Sequence, residues 1–206
     1  MPAVSGLKTS IDRLFAAAQQ RLRRKKTDEA AKAYLEVIAL PGIAGEEPLA
    51  LESAHLGLAD IYLATQKIEL AEFHLKHALA VSPAEANIHR KLGEVYAYKG
   101  QFADAAGEFL KAVELVPHHP EYLHRLGWAT FMAGHQKNGR KIMRDALFLD
   151  EANTGLLADL AMASSELGDR PAALRYLDQA VELDPNIELL RYQRERLRGR
   201  AARTKK

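Results

Sequence analysis

The residues that most restrict what this chain can fold into recur at a constant interval. Gly100, Gly134 and Gly168 stand 34 residues apart, Pro83 and Pro117 differ by the same 34, and Pro185 lies two further intervals on. Self-similarity at a period of roughly 20 to 50 residues marks a stacked array, in which each unit buries its apolar face only against its neighbours. The length of 206 residues would otherwise allow one or two globular domains; the period overrides that prior.

From Glu52 the spacing is unbroken and defines units 52–85, 86–119, 120–153 and 154–187, preceded by a divergent unit over 11–44. Counting from the first residue of each unit, the eighth position is Ala18, Ala59, Gly93, Gly127 and Ala161, and the twentieth is Ala30, Ala71, Ala105, Gly139 and Ala173. The twenty-seventh is Val37, Ala78, Ala112, Ala146 and Ala180. Two antiparallel helices approach closely only where side chains do not intervene, so these small residues predict paired helices. The larger apolar residues between them, such as Leu58, Leu92, Leu126 and Leu160, complete a knob-and-gap core. Glycine at position 15 of the last three units suits a helix C-terminus, where a positive φ costs it nothing.

The order Leu92, Gly93, Tyr96, Ala105, Phe109, Ala112, Pro117 resembles the tetratricopeptide repeat (TPR) pattern, with His89 where that pattern has Trp. The resemblance implies an all-α fold, a right-handed α-solenoid of five helix-turn-helix units closed by a C-terminal capping helix. It also implies a broad role, the binding of other proteins.

Residues 1–10 read as a frayed lead-in, and Thr27 is placed to cap the helix DEAAKAYLEVIAL. Between the first two units, near residues 41–51, seven residues are inserted, about two α-helical turns. The first helix of the second unit is therefore expected to begin near residue 46 and run to about Thr65. The fourth unit, with Glu151 for Pro, Gly139 for Ala and Thr130 for the usual aromatic, is expected to be the least regular. A glycine inside a helix costs about 1 kcal/mol relative to Ala. After Asn186, residues 188–206 read as a capping helix, with Leu189, Leu190 and Tyr192 covering the open end, followed by a disordered basic tail, AARTKK.

In proteins of the family it resembles, a stripe at positions 5, 9, 12 and 13 of the first helices lines a concave groove where partner segments lie. Here that stripe reads His124, Trp128, Phe131 and Met132 in the fourth unit, flanked by Arg125, with Arg90, Glu94 and Tyr98 before it and Met162 after it. The single Trp of the chain thus falls off the packing face. Trp and Tyr are over-represented among residues whose loss costs interfaces about 2 kcal/mol or more. The expected function is a non-catalytic adaptor or scaffold that holds a peptide or helix of another protein, anchored near Trp128. The Lys and Asn residues with which some family members grip a chaperone's C-terminal carboxylate are missing at positions 5 and 9.

Other functions have less behind them. There is no cysteine, no Gly-rich phosphate loop, no HExxH and no nucleophile elbow, so no enzyme is expected. No metal or cofactor is expected either: His74 with His77 and His118 with His119 fall short of a converging ligand set. Residues 188–206 hold eight Lys/Arg against two Glu. That basic tail offers an alternative, salt-sensitive binding of nucleic acid or acidic surfaces, but few aromatic residues interleave with the charges. A homo-oligomer formed through Ile43, Leu49 and Leu51 of the insertion is a second alternative. No apolar run is long enough to span a membrane and no secretory signal is legible, so the cytoplasm is the expected location.

Overall fold

The computed structural model describes residues 2–203, with side chains described for 6–199. Small and large apolar positions alternate at helical spacing throughout. The described residues accordingly form twelve helices and no strand: α1 (Pro2–Arg23), α2 (Thr27–Ile38), α3 (Ile43–Glu46), α4 (Pro48–Ala64), α5 (Ile68–Val81), α6 (Ala86–Tyr98), α7 (Phe102–Leu115), α8 (Pro120–Met132), α9 (Gln136–Leu149), α10 (Thr154–Glu166), α11 (Arg170–Leu183) and α12 (Glu188–Arg203). They fall into two compact units, Met1–Lys99 and Gly100–Lys206, and the division passes between α6 and α7.

In the first unit α1 packs on α2, α2 on α4, α4 on α5 and α5 on α6. The periodic positions are where its core lies: Ala18, Ala30, Val37, Leu58, Ala59, Ala71, Leu75 and Ala78 are all fully buried. Complete burial of a Leu is worth roughly 1.5–3 kcal/mol, so the repeat core alone stabilises each hairpin substantially. Tyr34 enters this core edge-on to Phe15, with ring centroids 5.8 Å apart. Gly57 makes room for it, since a Cβ there would stand 2.5 Å from the Tyr34 ring.

Several local expectations are corrected here. Over residues 2–10 the expected frayed lead-in is instead part of α1, which is helical from Pro2; Met1 lies outside the described residues. Thr27 is the first helical residue rather than the cap; the cap position is Lys26, which has no capping side-chain bond and instead pairs with Glu29 at 2.8 Å. The inserted segment does lengthen the next helix at its N-terminus, to 17 residues against 13 in α6, α8 and α10, but the extension starts at Pro48 and is preceded by a separate turn. A proline disfavours helical geometry in the residue before it, and Glu47, at φ −138°, separates the single turn of α3 from α4, which starts at Pro48. The insertion does not leave all three of its apolar residues exposed. Ile43 is buried and Leu51 packs against the core, which leaves Leu49 as the exposed member of the three.

The second unit stacks α7 on α8, α8 on α9, α9 on α10, α10 on α11 and α11 on α12. Its fourth repeat is not irregular: α8 and α9 have 13 and 14 residues, as do α10 and α11. The two glycines explain why. A Cβ on Gly139 would lie 2.4 Å from the backbone nitrogen of Phe131 and 2.6 Å from the carbonyl oxygen of Gly127, so the backbones of α8 and α9 are in direct contact there. The capping helix also differs from expectation. Leu190 is buried with Leu157, Ala161, Leu177 and Val181, supported by Ile187 and Leu197, while Leu189 and Tyr192 face outward. The helix runs on through Arg203, so 201–203 are not disordered; residues 204–206 of the expected tail lie outside the described residues.

Position 15 is left-handed in all five repeats. Gly100, Gly134 and Gly168 have φ of 72°, 97° and 76°, and the equivalent Lys25 and Gln66 have φ of 58° and 57°. A residue with a Cβ pays about 1–2 kcal/mol for this conformation. Gln66→Gly is expected to raise the unfolding free energy by about 1 kcal/mol, after glycine's own entropic cost. Gly139→Ala, although it improves helix propensity, is expected to lower it by about 2–3 kcal/mol because backbone atoms must move apart. Urea denaturation of both variants against wild type checks the two opposite signs.

Candidate functional site

The candidate face in the second unit is carried by α8 and α10, the first helices of the fourth and fifth repeats. They are pinned together near their N-terminal halves: Nε2 of His124 donates to Oδ2 of Asp159 at 2.7 Å. Counting on from this bond, Trp128 and Met132 follow His124 at i+4 and i+8, and Met162 follows Asp159 at i+3. Residues at these spacings share a helix face. Met132 and Met162 are 40% and 38% exposed, and Trp128 is half-buried, its inner side against the core formed with Leu156, Leu160 and Ala163. Trp128 and Phe131 stack nearly parallel, ring centroids 6.1 Å apart.

Phe131 does not belong to that face. It is 2% exposed and packs among Met143, Ala146, Leu156 and Leu160, so it fastens one repeat to the next. Position 12 points between neighbouring first helices, where a large ring is drawn into the inter-repeat core. Arg125 is exposed. The three sequence-derived residues of the first unit form a separate group on α6. Arg90 reaches Glu94 at 2.7 Å and Asn87 at 2.9 and 3.2 Å, and the Tyr98 ring is largely exposed one turn beyond Glu94.

Repeat geometry and repeat sequence now agree with known proteins. Models described as Tetratricopeptide repeat match residues 56–120, 90–153 and 155–187. The chain belongs to the tetratricopeptide repeat family. It is similar to tetratricopeptide repeat protein 7A of Homo sapiens, 23% identical over 140 residues, a match that takes in 68% of this chain but 16% of that much longer protein. Among solved structures it is similar to a tetratricopeptide repeat protein of Parabacteroides merdae, with a TM-score of 0.82, 16% identity, and coverage of 95% of this chain and 76% of the other. It is also similar to YrrB, described as a TPR protein with an unusual peptide-binding site, with a TM-score of 0.71, 18% identity, and coverage of 86% and 88%. At such identities the likeness is one of fold, the TPR α-solenoid. Family membership supports a protein-interaction scaffold role in general, and the family is generally non-catalytic.

Some of the remaining charged and imidazole groups of this TPR chain join helices: Lys91 pairs with Asp60, Lys99 with Glu72 and Arg140 with Asp169. Among the described residues no helix is long and apolar enough to cross a membrane, and no cluster of three or more His, Asp or Glu is placed to hold a metal. On the basic α12, Arg198 bonds Asp178 at 2.6 Å, Arg194 lies 3.8 Å from the same carboxylate, and both approach Glu195. The side chains of Arg200 and Arg203, and Lys205 and Lys206 entirely, lie outside the described residues.

One cluster escaped the sequence reading. His55 of α4 and His74 of α5, both buried, share a hydrogen bond between their Nδ1 atoms at 2.9 Å, and His77 stacks on His55 with centroids 5.0 Å apart. The signal was available, since His55 occupies position 4, on the stripe that packs against the second helix. One ring must donate and the other accept, so a second proton would set two N–H groups face to face. Burial, then the charges of His74 and His77, pull His55 down from 6.5 to about 4; burial, then the charge of His77, also lowers His74.

Because both shifts are downward, the unfolded chain holds more protons than the native one between about pH 6.5 and 4. Their contribution to stability is complete above pH 6.5 and is lost as the pH falls through that window. The loss should be of order 2 kcal/mol, allowing for solvent at the edge of the cluster. His55→Leu, which copies Leu14, Leu123 and Leu157 of the sister repeats, should flatten this slope in chemical denaturation series at pH 7, 6, 5 and 4.

Proposed function

We propose that this TPR chain is a non-catalytic adaptor whose second unit holds a peptide or helix of another protein against the exposed face of α8 and α10. The observation that carries the reading is the half-buried Trp128 with Met132 and Met162 exposed on the same two helices. Apolar side chains of this size left in water at helical spacing form a surface that a partner would desolvate. Methionine adapts its shape to irregular partners, and a tryptophan fixed on one side by the core loses little freedom on binding. YrrB, which shares the fold, is described as having a peptide-binding site, and that description supports the reading by analogy of architecture. His124 is occupied by Asp159, so it positions α8 against α10 rather than meeting the partner. The contact is thus assigned to Trp128, Met132 and Met162, with Arg125 at the edge.

The test compares proteins captured from the source cell by wild type and by Trp128→Ala. Loss of a tryptophan anchor typically costs about 2 kcal/mol or more, over tenfold in affinity. A specific band present with wild type and lost with the variant is expected, with unchanged helical circular dichroism. Trp128 is the chain's single Trp, so its emission should also shift to the blue and resist acrylamide when the captured partner is added. Equal capture by both proteins overturns the proposal.

A further inference from the structure

The end of the second unit contains a space that the fourth repeat fills and the fifth does not. At position 12 the fourth repeat has Phe131, buried between α8 and α10; the fifth has Ser165, exposed on α10. Beside Ser165 lies an open cavity of about 140 Å³, lined on α10 by Met162, on α11 by Leu177 and on α12 by Gln193, Arg196 and Leu197. Leu190, two turns earlier on α12, is buried, whereas Leu197 is only partly covered. The capping helix therefore closes on α10 and α11 through Leu190 and is tied to α11 further on by Arg198 and Asp178, while an open space remains on its α10 side beside Ser165. An apolar cavity of about 150 Å³ is large enough to take up benzene, so this one has room for a single Leu or Phe side chain.

The charges at the rim state what else the occupant carries. Asp178 on α11 and Glu195 on α12 are bound by Arg194 and Arg198. Arg196 lines the cavity, is exposed, and forms no ion pair among the described residues. A guanidinium without a partner at the mouth of a cavity walled by Met162, Leu177 and Leu197 on one side and by Ser165 and Gln193 on the other favours a carboxylate close to an apolar side chain. We infer that the cleft between α10, α11 and α12 is a socket for one Leu- or Phe-sized side chain of an acidic peptide segment, whose carboxylate pairs with Arg196. The inference rests on the binding role proposed above and adds to it the chemistry of the partner. A nucleic acid would use Arg196 but would leave the apolar walls of Met162, Leu177 and Leu197 without a purpose.

The experiment uses the full chain and fluorescein-labelled peptides of about ten residues, in which one Leu or Phe stands among Asp, Glu and Ser. The same peptides with Ser for the apolar residue, with Lys for the acids, and a labelled oligo-dT serve as comparisons, all read by anisotropy at low salt. The acidic Leu and Phe peptides are expected to bind at least about tenfold more tightly than either altered form. Ser165→Phe, which copies the fourth repeat, should fill the socket, raise the melting temperature and abolish binding. Arg196→Glu should weaken it about tenfold.

The socket is overturned if the Ser-substituted peptides bind as well, if Ser165→Phe binds normally, or if oligo-dT binds more tightly and responds only to Arg196→Glu. Binding lost in Trp128→Ala but kept in Ser165→Phe and Arg196→Glu overturns the socket and leaves the α8 and α10 face standing. The reverse pattern overturns the role of Trp128 and leaves the socket.

Discussion

The structure depends on how closely two helices of one repeat can approach. At positions 8 and 20 the side chain is Ala or Gly in all five repeats, and at Gly127 and Gly139 the approach is so close that no Cβ fits between the backbones. Close approach brings the larger apolar residues on either side into contact, which is where the hydrophobic stabilisation arises. It also sets how far the first helices of successive repeats stand from each other, and hence what their outer faces can present. The glycine that looks like a weakness in helix propensity is a steric requirement of the tightest hairpin.

The period made the core legible almost residue by residue. The small positions and the Leu, Phe and Met residues between them are the buried ones, because a 34-residue repeat constrains every copy to the same packing face. Legibility failed where one position serves two surfaces or where no repeat supplies a phase. Phe131 sits at a position shared by the outer face and the inter-repeat contact, and its size decides for the interior. Leu189, Leu190 and Tyr192 are adjacent on a helix with no repeat partner, so apolarity alone could not tell which would turn inward. The pairing of His55 with His74 joins two helices across 19 residues and needed the interhelical contact to be visible.

A few polar groups of this chain fix one helix to another or cap a helix end. The His124–Asp159 bond joins α8 to α10, Asp169 caps α11 through the Ala172 amide and holds Arg140 at 3.0 Å, and Lys99 and Lys76 both bind Glu72. Hydrogen bonds from those partners, the Ala172 amide first for Asp169 and Lys76 first for Glu72, keep both carboxyls below their usual range. On the faces described above, the side chains left open in the second unit are the thioethers of Met132 and Met162, one face of the Trp128 indole and the Arg196 guanidinium.

The left-handed turns carry a consequence for where the backbone bears a conformational cost. Glycine occupies that position in the α6–α7, α8–α9 and α10–α11 turns, whereas Lys25 and Gln66 occupy it in the two hairpin turns of the first unit. The backbone of the first unit is held at both of its hairpin turns in a conformation that side-chain-bearing residues resist. A cost of this kind thus falls at the α1–α2 and α4–α5 turns, and in the second unit at His118, φ 63°, between α7 and α8. The hairpins that present Trp128 and Met162 turn at Gly134 and Gly168 and are free of that cost.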